Sequence, residues 1–295
     1  MRRRRLVLGI IINAMLLVGL VIVGLPYWYT IVSSFKPQPE IWSWPIVLYP
    51  KALLNPALFP EGEPKLLGFI PLYLANYRYL LQKEPFLRWY ANTGITTSAR
   101  VVLSVFLSSL GGFAFAKYDF RFKNVLFLIL LASLMLPFEM LLIPLFVEMT
   151  WFKWLNSYIA IIAPGAVSAY FIFLMRQYML SVPNDMLDAA RIDGCSEFGL
   201  FWRIAVPIQR PAFAVVGILA FTGAWNDYLW PVVVLTDKSK YLLNVGLSNM
   251  QQGYDRPYGA IMAGSMLATL PVVIVFLILQ RQFIAGLTTG AIKGS

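Results

Sequence analysis

Apolar positions in this chain fall into long runs, not alternating pairs. Six stretches are apolar over roughly the 20 residues a bilayer-crossing helix requires. They are Leu6–Phe35, Thr93–Ala116, Asn124–Phe146, Ser157–Gln177, Ala212–Leu235 and Tyr258–Leu279. Continuous runs predict helices, whereas a barrel would show many short alternating strands. The expectation is an all-α membrane protein with six transmembrane helices. The first run is too long for the apolar region of a signal peptide. The exit at Pro26-Tyr-Trp-Tyr29 also lacks a small-x-small cleavage site, so this helix is expected to be retained.

Basic residues set the orientation. Arg2 to Arg5 place the N-terminus in the cytoplasm, and six spans then return the C-terminus to the same side. The cytoplasmic segments become 1–5, 117–123, 178–211 and 280–295. They carry Lys117, Arg121, Lys123, Arg191, Arg203, Arg210, Arg281 and Lys293. The expected organisation is a first transmembrane helix (1–35), an extracytoplasmic segment (36–92), a transmembrane core (93–280) that includes the cytoplasmic loop 178–211, and a cytoplasmic tail (281–295). The outer segment is rich in proline and reads as an irregular cap, with a short helix near Leu72–Leu81.

Composition sharpens this picture. The 295 residues are 59% hydrophobic and 13% charged, against about 45–50% and about 25% in soluble domains. There is no histidine and one cysteine, Cys195. That excludes an internal disulfide, a Ser-His-Asp unit and an HExxH zinc site. The net charge of +10 reads as a topology signal. No basic helix or aromatic-basic module supports nucleic-acid binding.

The loop Ser181-Val-Pro-Asn-Asp-Met-Leu-Asp-Ala-Ala-Arg-Ile-Asp-Gly194, continuing to Pro207, predicts helix, glycine turn, helix. Ser181 is a candidate N-cap, Pro183 suits the helix start, and Gly194 can take positive φ and stop the helix. A second helix is expected from about Ser196 to Ile204. Ala189 and Ala190 leave a small-residue face. Leu187 and Phe198 are candidate apolar anchors for a partner's groove, with Asp188, Arg191 and Asp193 as a polar rim. From the residues alone, an amphipathic helix lying on the membrane surface is an equal alternative.

Asp188-Ala-Ala-x-x-Asp-Gly194, then Phe201 and Ile204-Ala-Val-Pro207, resembles the EAA loop of ABC importer permeases. The likeness is to the carbohydrate, MalG-like branch. Phe221-x-x-x-Trp225-Asn-Asp-Tyr-x-x-Pro231, Tyr118-x-Phe-Arg-Phe-Lys123 and Gly286-Leu-Thr-Thr-Gly-Ala-Ile-Lys-Gly294 agree with it. Asp188 stands where the family has glutamate, a shorter carboxylate of the same charge. The resemblance implies the type I ABC importer permease fold. It also implies a non-catalytic subunit that pairs with a second, MalF-like permease, two ATPase subunits and an extracytoplasmic substrate-binding protein. Asp188, Ala189, Ala190, Asp193, Gly194, Leu187, Phe198 and Pro207 would dock on an ATPase subunit. The tail, with Gly290 and Lys293, would reach the ATPase dimer interface. No cofactor is expected on this chain, which has no GxxxxGK[ST] sequence; ATP and magnesium would sit on the partner ATPases. The implied cargo is a di- or oligosaccharide or a related polyol or glycerol phosphate.

Ionisable groups inside spans are costly and mark functional sites by default. Arg100, Glu139 and Asp227 stand at similar depth, roughly 23 Å from the cytoplasmic ends of their helices at ~1.5 Å per residue. An ion pair of Arg100 with Glu139 or with Asp227 is expected. Trp225, Asn226 and Tyr228 add stacking and hydrogen-bonding groups suited to a sugar, although Trp225 to Asp227 also serves helix packing on the family pattern. Pro137 and Pro144 are expected to interrupt the third span, and Pro164 with Gly165 the fourth. Two other classes make different demands on the sequence. A stand-alone secondary transporter or channel would show inverted repeats, and none is visible. An intramembrane enzyme would need a catalytic motif around Asp227 or Glu139, and none surrounds them.

Overall fold

The computed structural model describes the backbone of residues 2–51, 65–66, 70–71, 73–252 and 256–291, with side chains for 9–51, 73–252 and 256–282. It is helical nearly throughout. The first helices are α1 (Arg2–Ser34) and α2 (Gln38–Ile41). A two-residue antiparallel pairing follows, β1 (Lys65–Leu66) with β2 (Ile70–Pro71). Then come α3 (Ala75–Lys83), α4 (Phe86–Lys117), α5 (Lys123–Ser133), α6 (Phe138–Trp151), α7 (Ile159–Ile162), α8 (Ala169–Met179) and α9 (Asn184–Ile192). A composite helix is next: α10 (Glu197–Gly199), a π-helical turn (Leu200–Ala205) and α11 (Val206–Ile208). The last elements are α12 (Arg210–Trp225), α13 (Leu229–Val234), α14 (Leu243–Asn249) and α15 (Tyr258–Ala291).

Among the described residues, three helices are long and apolar enough to cross a bilayer: Gly9–Ser34, Phe86–Lys117 and Tyr258–Gln282. Two bent pairs raise the number to five if each is one span. Lys123–Ser133 meets Phe138–Trp151 at 102°, and Glu197–Ile208 meets Arg210–Trp225 at 85°. The predicted fourth span is not one straight helix. Residues 163–168, with Pro164 and Gly165, separate the short α7 from α8. Apolar content sets how much chain is membrane-compatible, but local backbone chemistry decides where it turns. Pro137 sits extended (φ −62°, ψ 140°) and starts α6, marking the break after α5. Pro144 lies inside α6 without ending it, so one of the two expected interruptions forms. The expected outer helix forms over Ala75–Lys83.

The chain divides into two compact units. In Met1–Leu87 with Gly246–Leu270, the Asn76 side-chain amide donates to the carbonyls of Ser34 and Lys36 at 2.9 and 2.8 Å. Tyr77 shares a hydrogen bond with Ser34 (2.8 Å). The two Asn76 bonds satisfy carbonyls at and just past the C-terminal end of α1, which have no partner within a helix. The Gly9–Ser34 stretch buries none of its most apolar window within the chain, as a lipid-facing span requires.

In Arg88–Val245 with Pro271–Ser295, three apolar clusters organise the helices. One joins Phe113 of α4 to Met179, Val182, Leu187, Leu200, Phe201 and Ala205. A second groups Met149, Ala160, Ile161, Trp230, Val234, Leu235 and Leu242, and the Trp230 indole donates to the Ala160 carbonyl (2.7 Å). The third packs Met175 on Ala212 and Val216. Three polar residues near the start of α4 find partners in the 238–243 segment. Trp89 donates to the Lys238 carbonyl (2.8 Å), Asn92 to those of Ser239 and Tyr241 (3.1 and 3.0 Å), and Thr93 accepts from the Leu243 amide (2.7 Å). Buried polar groups need such partners.

Candidate functional site: the loop 178–211 and a cavity at Arg100 and Asp227

The loop between α8 and α12 folds as its turn chemistry demands, with adjustments. Gly194 takes φ +82° and ends α9, a left-handed conformation that costs other residues energy. The Cys195 amide then donates to the Ala190 carbonyl (2.9 Å). Pro183, not Ser181, is the N-cap of α9. The Ser181 hydroxyl donates instead to the Tyr178 carbonyl (2.8 Å) and accepts from Gln209 (2.8 Å). The second helix is capped by Ser196, whose Oγ accepts from the Gly199 amide (3.2 Å), and it widens into a π-helical turn.

The expected docking residues divide. Leu187 is 1% exposed and belongs to the chain's own core, so it is not a partner anchor. Ala190 packs against the same core. Phe198 is 58% exposed and stacks at 7° on Trp202, itself 55% exposed. Ile192 is 87% exposed. The exposed apolar side chains of the loop thus include Ile192, Phe198 and Trp202, with Met186 and Ile208, beside exposed Asp188, Ala189, Asp193, Gly194 and Pro207. Sequence reading missed Ile192 and Trp202 because helical periodicity cannot say which apolar stripe of a short helix its own chain covers.

Charged groups brace this loop. Arg191 donates to Asp188 (2.7 Å) and with two nitrogens to Glu197 (3.0 and 3.2 Å). The Tyr118 hydroxyl, just past α4, also donates to Glu197. Lys117 donates to the Val182 carbonyl and to Asn184 Oδ1 (2.9 Å). Hydrogen bonds from Arg191 and Tyr118 hold the Glu197 carboxyl below its ordinary pKa. Burial, followed by the bond to Glu197, pushes the Tyr118 phenol up to about 12.

Arg100, within α4, and Asp227, in the break between α12 and α13, pair at 2.6 Å, each side chain 18% exposed. They border a cavity of about 390 Å³, with Ser104, Ser168 and Gly165 among its polar and backbone lining and Phe138, Phe171 and Trp230 among its aromatic lining. A largely apolar cavity of a few hundred Å³ with a few converging polar groups is the usual form of a ligand pocket. The buried Ser104 hydroxyl has no hydrogen-bond partner among the described residues. Gly165 shapes the wall, since a Cβ there would lie 2.3 Å from Arg100 Nε.

Glu139 is exposed and does not line this cavity, so the expected common site holds two of its three charges. Trp225 is buried, packing on Tyr90 and Phe221, and its carbonyl accepts from Asn244 (3.2 Å). Asn226 donates to the Thr222 carbonyl (3.0 Å). Both build the helix end instead of facing the cavity, and Tyr228 is also absent from the lining. Lys293 lies outside the described residues, as does the surrounding of Gly290 in the last turns of α15. Among the described residues no group of three His, Cys, Asp or Glu side chains is placed to hold a metal ion.

Residues 105–289 match the family model of the binding-protein-dependent transport system inner membrane component. The chain belongs to this family. It is a permease subunit of a transport system, a multi-pass component of the inner membrane, in a family of transport subunits and not of enzymes. The permease is 37% identical over 270 residues to the arabinooligosaccharides transport system permease protein AraQ of Bacillus subtilis, covering 91% of this chain and 90% of that relative. It is 37% identical over 191 residues to the lactose transport system permease protein LacG of Rhizobium radiobacter, covering 65% and 70%. It is 27% identical to the sn-glycerol-3-phosphate transport system permease protein UgpE of Yersinia pestis, covering 95% and 96%. The crystal structure of a bacterial ABC transporter that imports the acidic polysaccharide alginate has a chain of the same fold, with a TM-score of 0.80 at 23% identity, over 95% of this chain and 98% of that one.

Proposed function

We propose that this permease forms, with a second permease subunit, the membrane pathway of an ATP-driven importer for a di- or oligosaccharide or a related polyol or glycerol phosphate. The chain crosses the membrane six times with both termini in the cytoplasm, the broken segment α7–α8 counting as one crossing. Loop 178–211 docks on one of two separate ATPase subunits, and the tail 281–295 extends toward them. Segment 36–92 faces an extracytoplasmic substrate-binding protein. ATP and magnesium are held by the ATPases, and this chain binds no cofactor of its own.

The observation that carries the docking reading is the exposed apolar face of Ile192, Phe198 and Trp202 on a loop braced by its own ion pairs. An apolar face this exposed marks a partner or a membrane surface, and membership of a transport-permease family supports a partner subunit. The cargo class is supported by relatives whose names specify arabinooligosaccharides, lactose and glycerol phosphate. The binding protein is supported by a second alginate transporter structure of the same fold (TM-score 0.58, 12% identity), solved with an alginate pentasaccharide-bound periplasmic protein. The pathway is assigned to the cavity at Arg100 and Asp227. Each ligand acts by binding one conformer better than the other. The test is ATP-dependent uptake by proteoliposomes holding the permease pair, its ATPases and its binding protein, with labelled arabinotriose, lactose and glycerol 3-phosphate compared. Uptake of a saccharide or glycerol phosphate that needs both ATP and binding protein supports the reading; uptake independent of ATP overturns it.

A further inference from the structure

Helix α4 touches the loop at both ends of α9. Lys117 holds the start of α9 through the Val182 carbonyl and Asn184. Tyr118 holds its far end through Glu197, which Arg191 of α9 grips with two nitrogens. One attachment would let α9 pivot; two fix its direction. Beneath them Phe113 of α4 packs against Leu187, Leu200 and Phe201. That apolar contact is strong but non-directional, whereas hydrogen bonds constrain angle as well as distance.

We infer that Tyr118, Glu197 and Arg191 form a clasp that makes α4 the lever carrying motion of the loop to the intramembrane cavity. This rests on the reading of loop 178–211 as the ATPase-docking segment. From Arg88 to Lys117 α4 contains no proline and no break. Arg100 stands roughly 26 Å from Lys117 at ~1.5 Å per residue. Gly112 lets α4 lie directly on α8, where a Cβ would come within 2.6 Å of Met175 Cβ, so the rod is guided along its length. Midway along it, Arg100 makes the pair with Asp227 on the cavity wall. A rotation imposed at Tyr118 therefore reaches Arg100. Glu197 and Asp188 are more than half exposed, and exposed pairs add little stability. The clasp is thus a set of positioning residues: its loss leaves the fold and the docking intact and weakens transmission.

The test uses the assembled importer with Cys195→Ser and a bimane label on Ile95→Cys, an exposed site on the outer part of α4. It reads the emission change produced by MgATP with vanadate, which needs no cargo. Tyr118→Phe keeps the ring that packs on Phe113, and Glu197→Gln keeps an acceptor. In the parent, ATP with vanadate changes the emission and the ATPases co-purify. With Tyr118→Phe and Glu197→Gln together, the ATPases still co-purify and the amplitude falls about threefold or more. The single variants give less than additive losses, as coupled residues do. An unchanged amplitude in the assembled double variant overturns the lever, as does a parent complex with no emission change. Loss of the ATPases in the double variant also overturns it, because the clasp would then serve docking alone. A parent that recovers no ATPase defeats the docking reading itself, a separate failure.

Discussion

Gly165→Ala is a small substitution with a specific expected consequence. The new Cβ would lie 2.3 Å from Arg100 Nε and 2.8 Å from both Cζ and Nη2. Ordinary contact begins near 3.4 Å, so the guanidinium has to move by about 1 Å. It is held at 2.6 Å from Asp227, and a shift of that size takes the pair toward or past hydrogen-bonding distance. Overpacking of this kind costs about 1–3 kcal/mol. For a protein of this size that lowers the melting temperature by roughly 2–5 °C. The assay is thermal unfolding of the purified permease complex, run as a double-mutant cycle with Arg100→Ala. Without Arg100 the added methyl no longer meets the side chain it would strike, so Gly165→Ala becomes nearly neutral in that background. Equal destabilisation with and without Arg100 would refute the reasoning, as would no destabilisation in the wild type.

Other expectations follow from the same geometry. Gly112→Ala places a Cβ 2.6 Å from Met175 Cβ and 2.7 Å from the Arg176 amide, whereas at Gly111 the nearest atoms are 3.5 Å away; in thermal unfolding Gly112→Ala costs about 1–3 kcal/mol and Gly111→Ala far less. Phe198→Ser with Trp202→Ser lowers recovery of the ATPases in pull-down at least tenfold without changing the melting temperature of the permease pair, while Met186→Ser leaves recovery unchanged. The clasp has a pH window: the lowered Glu197 pKa makes its contribution present above the ordinary 4.5 and lost as pH falls through the depressed value. The raised Tyr118 pKa makes its contribution full below the ordinary 10 and lost as pH rises toward about 12. An ultraviolet difference titration of wild type against Tyr118→Phe should accordingly show a phenol ionising near 12 and not near 10.

The sequence made the class of molecule legible because a bilayer imposes a length and polarity on each run that few other environments demand. Gly194 was readable as a helix stop because positive φ has few residue choices, and the Arg100–Asp227 pair because two opposite charges in apolar stretches need each other. The bends were harder. Pro137 and Pro144 look alike in the sequence, yet one starts a helix and the other sits within one. Leu187 and Phe198 both looked like anchors, and tertiary packing alone assigned the first to the interior and the second to the surface. Trp225 looked like a sugar platform, but Tyr90, distant in sequence, covers it. The clasp was invisible because Tyr118 and Glu197 are 79 residues apart and no local pattern pairs them.

The ATP-driven complex proposed for this chain is engaged through the loop at Gly194. Affinity purification of the tagged chain from its native membrane in mild detergent, with the recovered subunits identified, tests it most directly. Recovery of a second permease together with ATPase subunits, lost when Gly194 is replaced by a bulky residue, is the predicted result. Recovery of the chain with neither would contradict the account.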